Sequence, residues 1–256
     1  YEIGELEKDL LFFQQGETAL LEKMSALHEG FRAEVDALVA ALDGQRFHNF
    51  VTDRDGTGNN YCGRYRSSIQ SAYNAIFLTR FVRALTDHAV VITSAPLQDP
   101  GIVNVSVMME STFIYAASKA REFIDEEGNR RTFPVDLAQQ QLLDAFNKKL
   151  QALVAEPEYR KFALIGSGIQ LKFGETTMAR QDITGTIPQP ESDAFLEKVR
   201  GLVREVDPAL ESFTVDDTGL DIEVVLNVAP PAEKKAGKEF DKADGLLFLN
   251  RELDLR

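Results

Sequence analysis

The chain has 256 residues, with 28 Lys and Arg against 41 Asp and Glu, a net charge of −13. Its pI near 4.8 argues against a nucleic-acid backbone or an anionic membrane as partner. No apolar run reaches the ~20 residues of a bilayer span, and one cysteine, Cys62, excludes an intrachain disulfide framework; only His28, His48 and His88 stand beside it, which argues against a Cys/His zinc site.

Residues 1–45 read as a helical region. Apolar residues recur at Ile3, Leu6, Leu10 and Phe13, then at Leu20, Met24 and Leu27, then at Phe31, Val35, Leu38 and Leu42. That spacing predicts three short amphipathic helices or a long hairpin, with breaks at Gly16, Gly30 and Gly44 and the apolar stripe as packing surface. The period then changes. Residues 48–52 form a strand that runs into Asp53-Arg54-Asp55-Gly56-Thr57-Gly58. A helix is expected over 67–86, a buried strand at 89–92 ending in Thr93-Ser94, and another strand at 112–117. Strand, helix and strand with polar residues at the strand ends predict a doubly wound α/β sheet. From 131 to 229 the pattern is that of a small α+β unit. It has helices at 135–155 and 190–206 and strands at 161–165, 168–173, 176–183, 211–216 and 220–228. Residues 230–238 read as an exposed connection, and the chain closes through Lys242 into a helix.

Asp53 and Asp55 carry the sharpest chemical signal. Two carboxylates two apart, just past a strand, can both face the crevice at the sheet's carboxyl edge. Such a pair can hold Mg²⁺ and divide nucleophilic attack on phosphorus from proton transfer to the leaving oxygen. Two rival readings are a Ca²⁺ loop and a plain Asp/Gly turn. The Ca²⁺ loop wants a Glu at its twelfth position, where Arg64 stands. Thr93, at a strand end, can meet a phosphate oxygen at the same edge. Lys242 can neutralise both the phosphate and the Asp53 carboxylate. Arg54, Arg64, Arg66 and Arg180 are weaker candidates for a local positive patch, Glu122 sits near a core strand end, and Cys62 reads as an incidental thiol.

Asp-x-Asp-Gly-Thr, then Thr, then Lys in this order resembles the haloacid-dehalogenase-like (HAD) phosphatases. The segments 52–57, 68–70, 93–97, 166–170 and 240–246 resemble nematode-type trehalose-6-phosphate phosphatases, as does a helical region ahead of the catalytic part. The resemblance implies a Rossmann-like HAD core over 46–130 and 230–256, with an α/β cap inserted over 131–229. It implies Asp53 as nucleophile and Asp55 as general acid/base, with Thr93, Ser94 and Lys242 on the phosphoryl group. Mg²⁺ would sit on Asp53 and Asp55. In the cap, Gln170 and Lys172 fall at the family's Glu-x-Lys pair, and Ala179 and Gln181 at its His-x-Arg pair. Gln170, Lys172, Arg180 and Gln181 are the expected sugar contacts.

These expectations describe a cytoplasmic, Mg²⁺-dependent phosphomonoesterase acting on a phosphorylated disaccharide, trehalose 6-phosphate first. A compatible-solute pathway substrate such as glucosylglycerol phosphate is the alternative, with a fused or associated glycosyltransferase as partner. A non-catalytic sugar-phosphate sensor is the alternative of another class. The family's fourth, acidic motif is not found between Lys242 and Arg256, so the chain is expected to be a piece of a longer product.

Overall fold

The computed structural model describes residues 2–60, 67–98, 100–107, 111–227 and 240–255. Cys62, Arg64, Arg66 and the expected connection at 230–238 lie outside the described residues.

The amino-terminal region is three helices, α1 (Glu2–Gln15), α2 (Glu17–Leu27) and α3 (Phe31–Leu42). They are separated at Gly16 and Gly30, whose φ angles of 88° and 81° suit a residue without a β-carbon. The periodicity predicts the helices, but not which side of α1 packs. Its apolar stripe, Ile3, Leu6, Leu10 and Phe13, is more than half exposed. The buried side carries Glu5, Lys8 and Phe12 instead, because these have specific partners on α4 (Ala72–Leu85). Phe12 meets Phe77 edge-on at 5.6 Å. Tyr73 donates its hydroxyl to Glu5, 3.1 Å away. Asp9 accepts from the backbone N–H groups of Ala72 and Tyr73 at 3.0 and 2.9 Å, so α1 supplies the N-terminal cap of α4 from outside it.

The core is a five-stranded sheet in the order β1 (Phe47–Asp53), β2 (Thr86–Ile92), β3 (Ile114–Ala117), β4 (Glu122–Ile124), β5 (Arg130–Thr132). The first three strands are parallel and the last two antiparallel. Apolar residues of β2 point alternately to the two faces, as the two-residue period of a strand requires. Ala89 and Val91 pack with Val82 of α4 and with Ile102 of the short helix α5 (Ile102–Val105). Val90 and Ile92 pack with Phe248 and Leu249 of α8 (Lys242–Leu253). Helices on both faces give the doubly wound, HAD-like α/β core that was expected. Residues 130–132 belong to this first sheet, so the core sheet runs two residues past the expected start of the cap.

The cap is a four-stranded antiparallel sheet in the order β6 (Ile169–Lys172), β7 (Glu175–Ala179), β9 (Asp221–Leu226), β8 (Phe213–Asp217). Helices α6 (Leu137–Ala155) and α7 (Gln189–Val206) cover one face. Leu143, Phe146, Phe195 and Val199 pack there on Met178, Ile222 and Val224. The expected strand at 161–165 is not formed. Arg160–Ala163 is a 3₁₀ turn in which Phe162 stacks on Phe195 at 3.9 Å, while Leu164 is 61% exposed. An apolar run with a single buried side chain has no sheet face to fill, and its N–H groups bond to carbonyls three or four residues back.

Candidate active site

The site begins at two adjacent strand ends. Asp53 is the last residue of β1 and pairs in register with Ile92, the last of β2, so Asp53 and Thr93 emerge side by side at the carboxyl edge. That edge is where open α/β sheets bind ligands. Lys242 opens α8, whose start is fixed by a reciprocal cap between Asp241 and Asp244. Its ammonium lies 3.0 Å from Asp53 Oδ1. The Arg54 backbone N–H donates to the same oxygen at 2.8 Å. The Thr93 hydroxyl accepts from Ala95 N at 3.1 Å, which ties down the turn and keeps the O–H as a donor.

Asp55 sits one step beyond, in a turn closed by bonds from Asn59 N to Arg54 O (2.8 Å) and Gly56 N to Asn59 O (2.7 Å). Its Oδ1 accepts from Ser68 Oγ at 2.9 Å and from Arg54 Nη1 at 2.5 Å. Arg54 is only 2% exposed and also donates to the carbonyls of Ser68 and Val105. It is therefore a buried brace behind Asp55, not part of a phosphate-facing patch. Glu122 is likewise internal: its carboxylate accepts from Ser118 Oγ, Leu97 N and Arg130.

A cleft of about 220 Å³ separates core from cap. Asp55, Ser68, Thr93 and Ser94 form its core wall, and Ser167, Gln170, Lys172, Thr177, Asp221 and Glu223 its cap wall. The cap wall follows from strand alternation. Gln170, Thr177 and Glu223 form one cross-strand row, with Lys172 opposite Glu175 beside it. The apolar residues between them point to the helices.

Lys172 lines the cleft as expected, but it is buried and already paired. Its ammonium donates to Glu175 Oε1 at 2.6 Å and to Thr177 Oγ1 at 2.7 Å. Burial pushes the Glu175 carboxyl up, yet the ammonium groups of Lys172 and Lys119 outweigh it and hold the pKa at about 2. Burial also pushes the Asp221 carboxyl up, only partly offset by the Ser167 hydroxyl and Lys172. Gln170 donates to Ser167 O at 3.2 Å. Gln181 reaches the cleft but spends both ends of its amide on the 182–187 loop, donating to Ile187 O and accepting from the N–H groups of Asp182 and Ile187. Arg180 does not join the site. It is 3% exposed and bound to Ser192, Asp193 and Asp217, because it leaves the end of β7 on the helix side. Thr177, Asp221 and Glu223 line the cleft and Glu175 stands behind it; the motif reading missed all four, although the alternation in Asp221-Ile222-Glu223-Val224 signals two of them.

A carboxylate held ionised below its ordinary value of 4.5 stabilises the fold above that pH and loses the contribution as pH falls toward about 2. Thermal melts of the unaltered protein are therefore expected to steepen in that window. A Glu175→Gln protein should show a flatter slope there, and equal slopes would contradict the assignment.

The trehalose-6-phosphate phosphatase carboxy-terminal family model matches residues 50–256, most of the chain and all of the site just described. The chain belongs to this family. An α,α-trehalose-phosphate synthase [UDP-forming] 2 of Caenorhabditis elegans is 32% identical over 97% of the chain, which covers 21% of that relative. A trehalose-phosphatase of Caenorhabditis briggsae is 30% identical over 78% of the chain, covering 45% of that relative. The chain thus spans about a fifth of the synthase relatives and under half of the phosphatase relatives. The crystal structure of a trehalose-6-phosphate phosphatase related protein superposes with a TM-score of 0.51 at 9% identity, covering 82% of this chain and 74% of that one. That likeness is one of fold.

For a metal, the site offers hard oxygen donors, the Asp53 carboxylate and the Asp55 carbonyl. Among the described residues no group of three or more His, Cys, Asp or Glu could hold an ion. One or two protein oxygens completed by water and a substrate phosphate are what Mg²⁺ commonly accepts. The donor set fits that ion in kind. No described helix is long and apolar enough to cross a membrane.

Proposed function

We propose that this chain hydrolyses trehalose 6-phosphate to trehalose and phosphate through an aspartyl-phosphate on Asp53. The observation that carries the reading is the meeting of Asp53, Thr93 and Lys242 at one sheet edge, beside a cleft that Thr93 and Asp55 line on the core side and polar groups on the cap side. Lys242 and the Arg54 N–H both engage Asp53 Oδ1, which orients the carboxylate and leaves Oδ2 to attack phosphorus. The phosphorus–oxygen bond to the sugar breaks, and Asp55 gives its proton to the departing alkoxide. Asp55 then takes a proton from water as the water oxygen attacks the aspartyl-phosphate. Phosphate leaves and the Asp53 carboxylate is restored. Thr93, Ser94 and Lys242 bind the phosphoryl oxygens, where fixed positive charge and donors act on developing charge. Phosphate-monoester hydrolysis can demand up to ~10²¹-fold acceleration, so such preorganisation has to be extensive. Mg²⁺, held by Asp53 and the Asp55 carbonyl, supplies further positive charge at the phosphoryl group when bound.

In this reading Gln170, Lys172, Thr177, Asp221 and Glu223 meet the sugar. A neutral polyol suits a wall that mixes an ammonium, carboxylates, an amide and a hydroxyl. The similarity to trehalose-phosphate synthases supports a glycosyltransferase, fused or associated, as the source of the phosphorylated disaccharide. A single cysteine suits the cytoplasm, where thiols stay reduced.

The test is a substrate panel with the full-length natural protein in Mg²⁺. Phosphate release from trehalose 6-phosphate is expected to exceed that from glucosylglycerol phosphate by about tenfold or more in kcat/KM. The reverse preference would change the substrate, and binding without release would mean a sensor.

A further inference from the structure

Ser118, Lys119 and Ala120, in the loop after β3, all lie in the left-handed region, with φ of 52°, 60° and 65°. Each position disfavours a residue with a β-carbon, so a run of three persists only where its surroundings fix it, and such strain collects at functional sites. Here three surroundings do so. Ser118 N and Lys119 N donate to Ala95 O and Thr93 O at 2.8 and 2.9 Å, joining the turn to the loop that carries the phosphate-site threonine. The α8 backbone presses against it at Gly245, where an added β-carbon would lie 2.0 Å from Lys119 O. On the cap side, Ser118 Oγ accepts from Phe173 N at 3.1 Å, and Arg121 donates to Gly174 O at 2.5 Å.

This turn carries one long cation out of the core and into the cap. Lys119 Nζ lies 2.9 Å from Glu175 Oε2 and 3.9 Å from Glu223 Oε2. Glu175 gives its other oxygen to Lys172. Lys172 and Glu223 line the cleft, whereas Lys119 and Glu175 stand behind it. The Lys119 side chain is 13% exposed and that of Glu175 3%, so the pairing is little screened by solvent. With two ammonium groups sharing one carboxylate, Lys172 is not wholly drawn onto Glu175. Without Lys119, Glu175 would hold Lys172 alone, and Glu223 would lose a cation that fixes its carboxylate.

We propose that Lys119 is a positioning residue for sugar recognition: a core side chain that sets Lys172 and Glu223 of the cap at the spacing the sugar requires, through Glu175. The inference rests on the sugar-phosphate reading above and adds that specificity is fixed partly from the core.

The experiment compares the full-length natural protein with its Lys119→Met, Lys119→Gln, Lys119→Arg and Glu175→Gln variants, on trehalose 6-phosphate and on a small aryl phosphate that need not reach the cap. Lys119→Met is expected to raise KM for trehalose 6-phosphate about tenfold, with kcat for that substrate and kcat/KM for the aryl phosphate within about twofold. Lys119→Arg should restore most of the loss. In the Lys119→Met, Glu175→Gln double variant the effects should be less than multiplicative, since both act on one network. If Lys119→Met does not fold, Lys119→Gln, which removes the charge but keeps a polar end, takes its place. Equal losses on both substrates, or an unchanged KM for trehalose 6-phosphate, would overturn the proposal. The unaltered protein separates the two readings. If it does not favour the sugar phosphate over the aryl phosphate, the functional reading fails and takes this one with it. If it does and the variant keeps that preference, only this proposal fails.

Discussion

An Asp53→Asn protein is expected to bind trehalose 6-phosphate, keep its fold and release essentially no phosphate. Asparagine is nearly isosteric with aspartate, and its Oδ1 can still accept from the Arg54 N–H and from Lys242. The attacking oxygen, however, is replaced by an amide nitrogen whose lone pair is delocalised. Removing a covalent nucleophile costs on the order of 10⁴- to 10⁶-fold in kcat. Stability should change little, because both side chains of the ion pair are more than a third exposed and such a pair contributes about 0–1 kcal/mol. Phosphate release and thermal melting, measured side by side, check both halves. Activity above about one per cent of the unaltered protein, far more than a lost nucleophile permits, would move the nucleophile elsewhere.

Replacing Arg54 by Met is expected to damage both stability and turnover. The guanidinium is buried and holds Asp55, Ser68 O and Val105 O together. Methionine fills much of the volume but leaves two buried carbonyls without that donor and Asp55 without its brace. Lost charge-assisted bonds and unsatisfied carbonyls together cost roughly 3 kcal/mol, discounted because the Asp55 side chain keeps some solvent access. Turnover should fall about a hundredfold, as expected when the group that hands over the proton is misplaced by an ångström. The two losses separate by comparison. If Arg54 acts through Asp55, kcat falls in Arg54→Met but not in an equally destabilised variant of the cap core such as Phe146→Leu, measured where both are folded. Equal kcat in the two variants would reduce Arg54 to a structural role.

Much of the site was legible because its chemistry is concentrated at strand ends. Asp53, Asp55 and Thr93 follow apolar strands, and parallel pairing of those strands is enough to bring them together. Lys242, far along the chain, was legible by family resemblance, and α8 places it at the same edge. Gln170 and Lys172 were also legible by family resemblance, and strand alternation places both on the cleft side. Arg180, read as a candidate for a positive patch, follows the same alternation to the helix side, the side of Met178, and so stays out of the cleft. The apolar stripe of α1 misled for a related reason: periodicity identifies a face, not its partner, and Glu5, Asp9 and Phe12 found theirs on α4 first. Lys119 gave no signal at all. Nothing in Ser-Lys-Ala announces three left-handed residues; that conformation is imposed by the strand end, α8 and the cap hairpin around it.

The central claim is that Asp53 takes the phosphoryl group from a sugar held in the cleft. Rapid acid quenching of the full-length natural protein, mixed with trehalose 6-phosphate labelled at phosphorus, tests this most directly. A transient, hydroxylamine-labile label on the peptide that contains Asp53, formed and lost at rates compatible with turnover, is the predicted result. Phosphate release with no label on that peptide, or with the label on another residue, would contradict it.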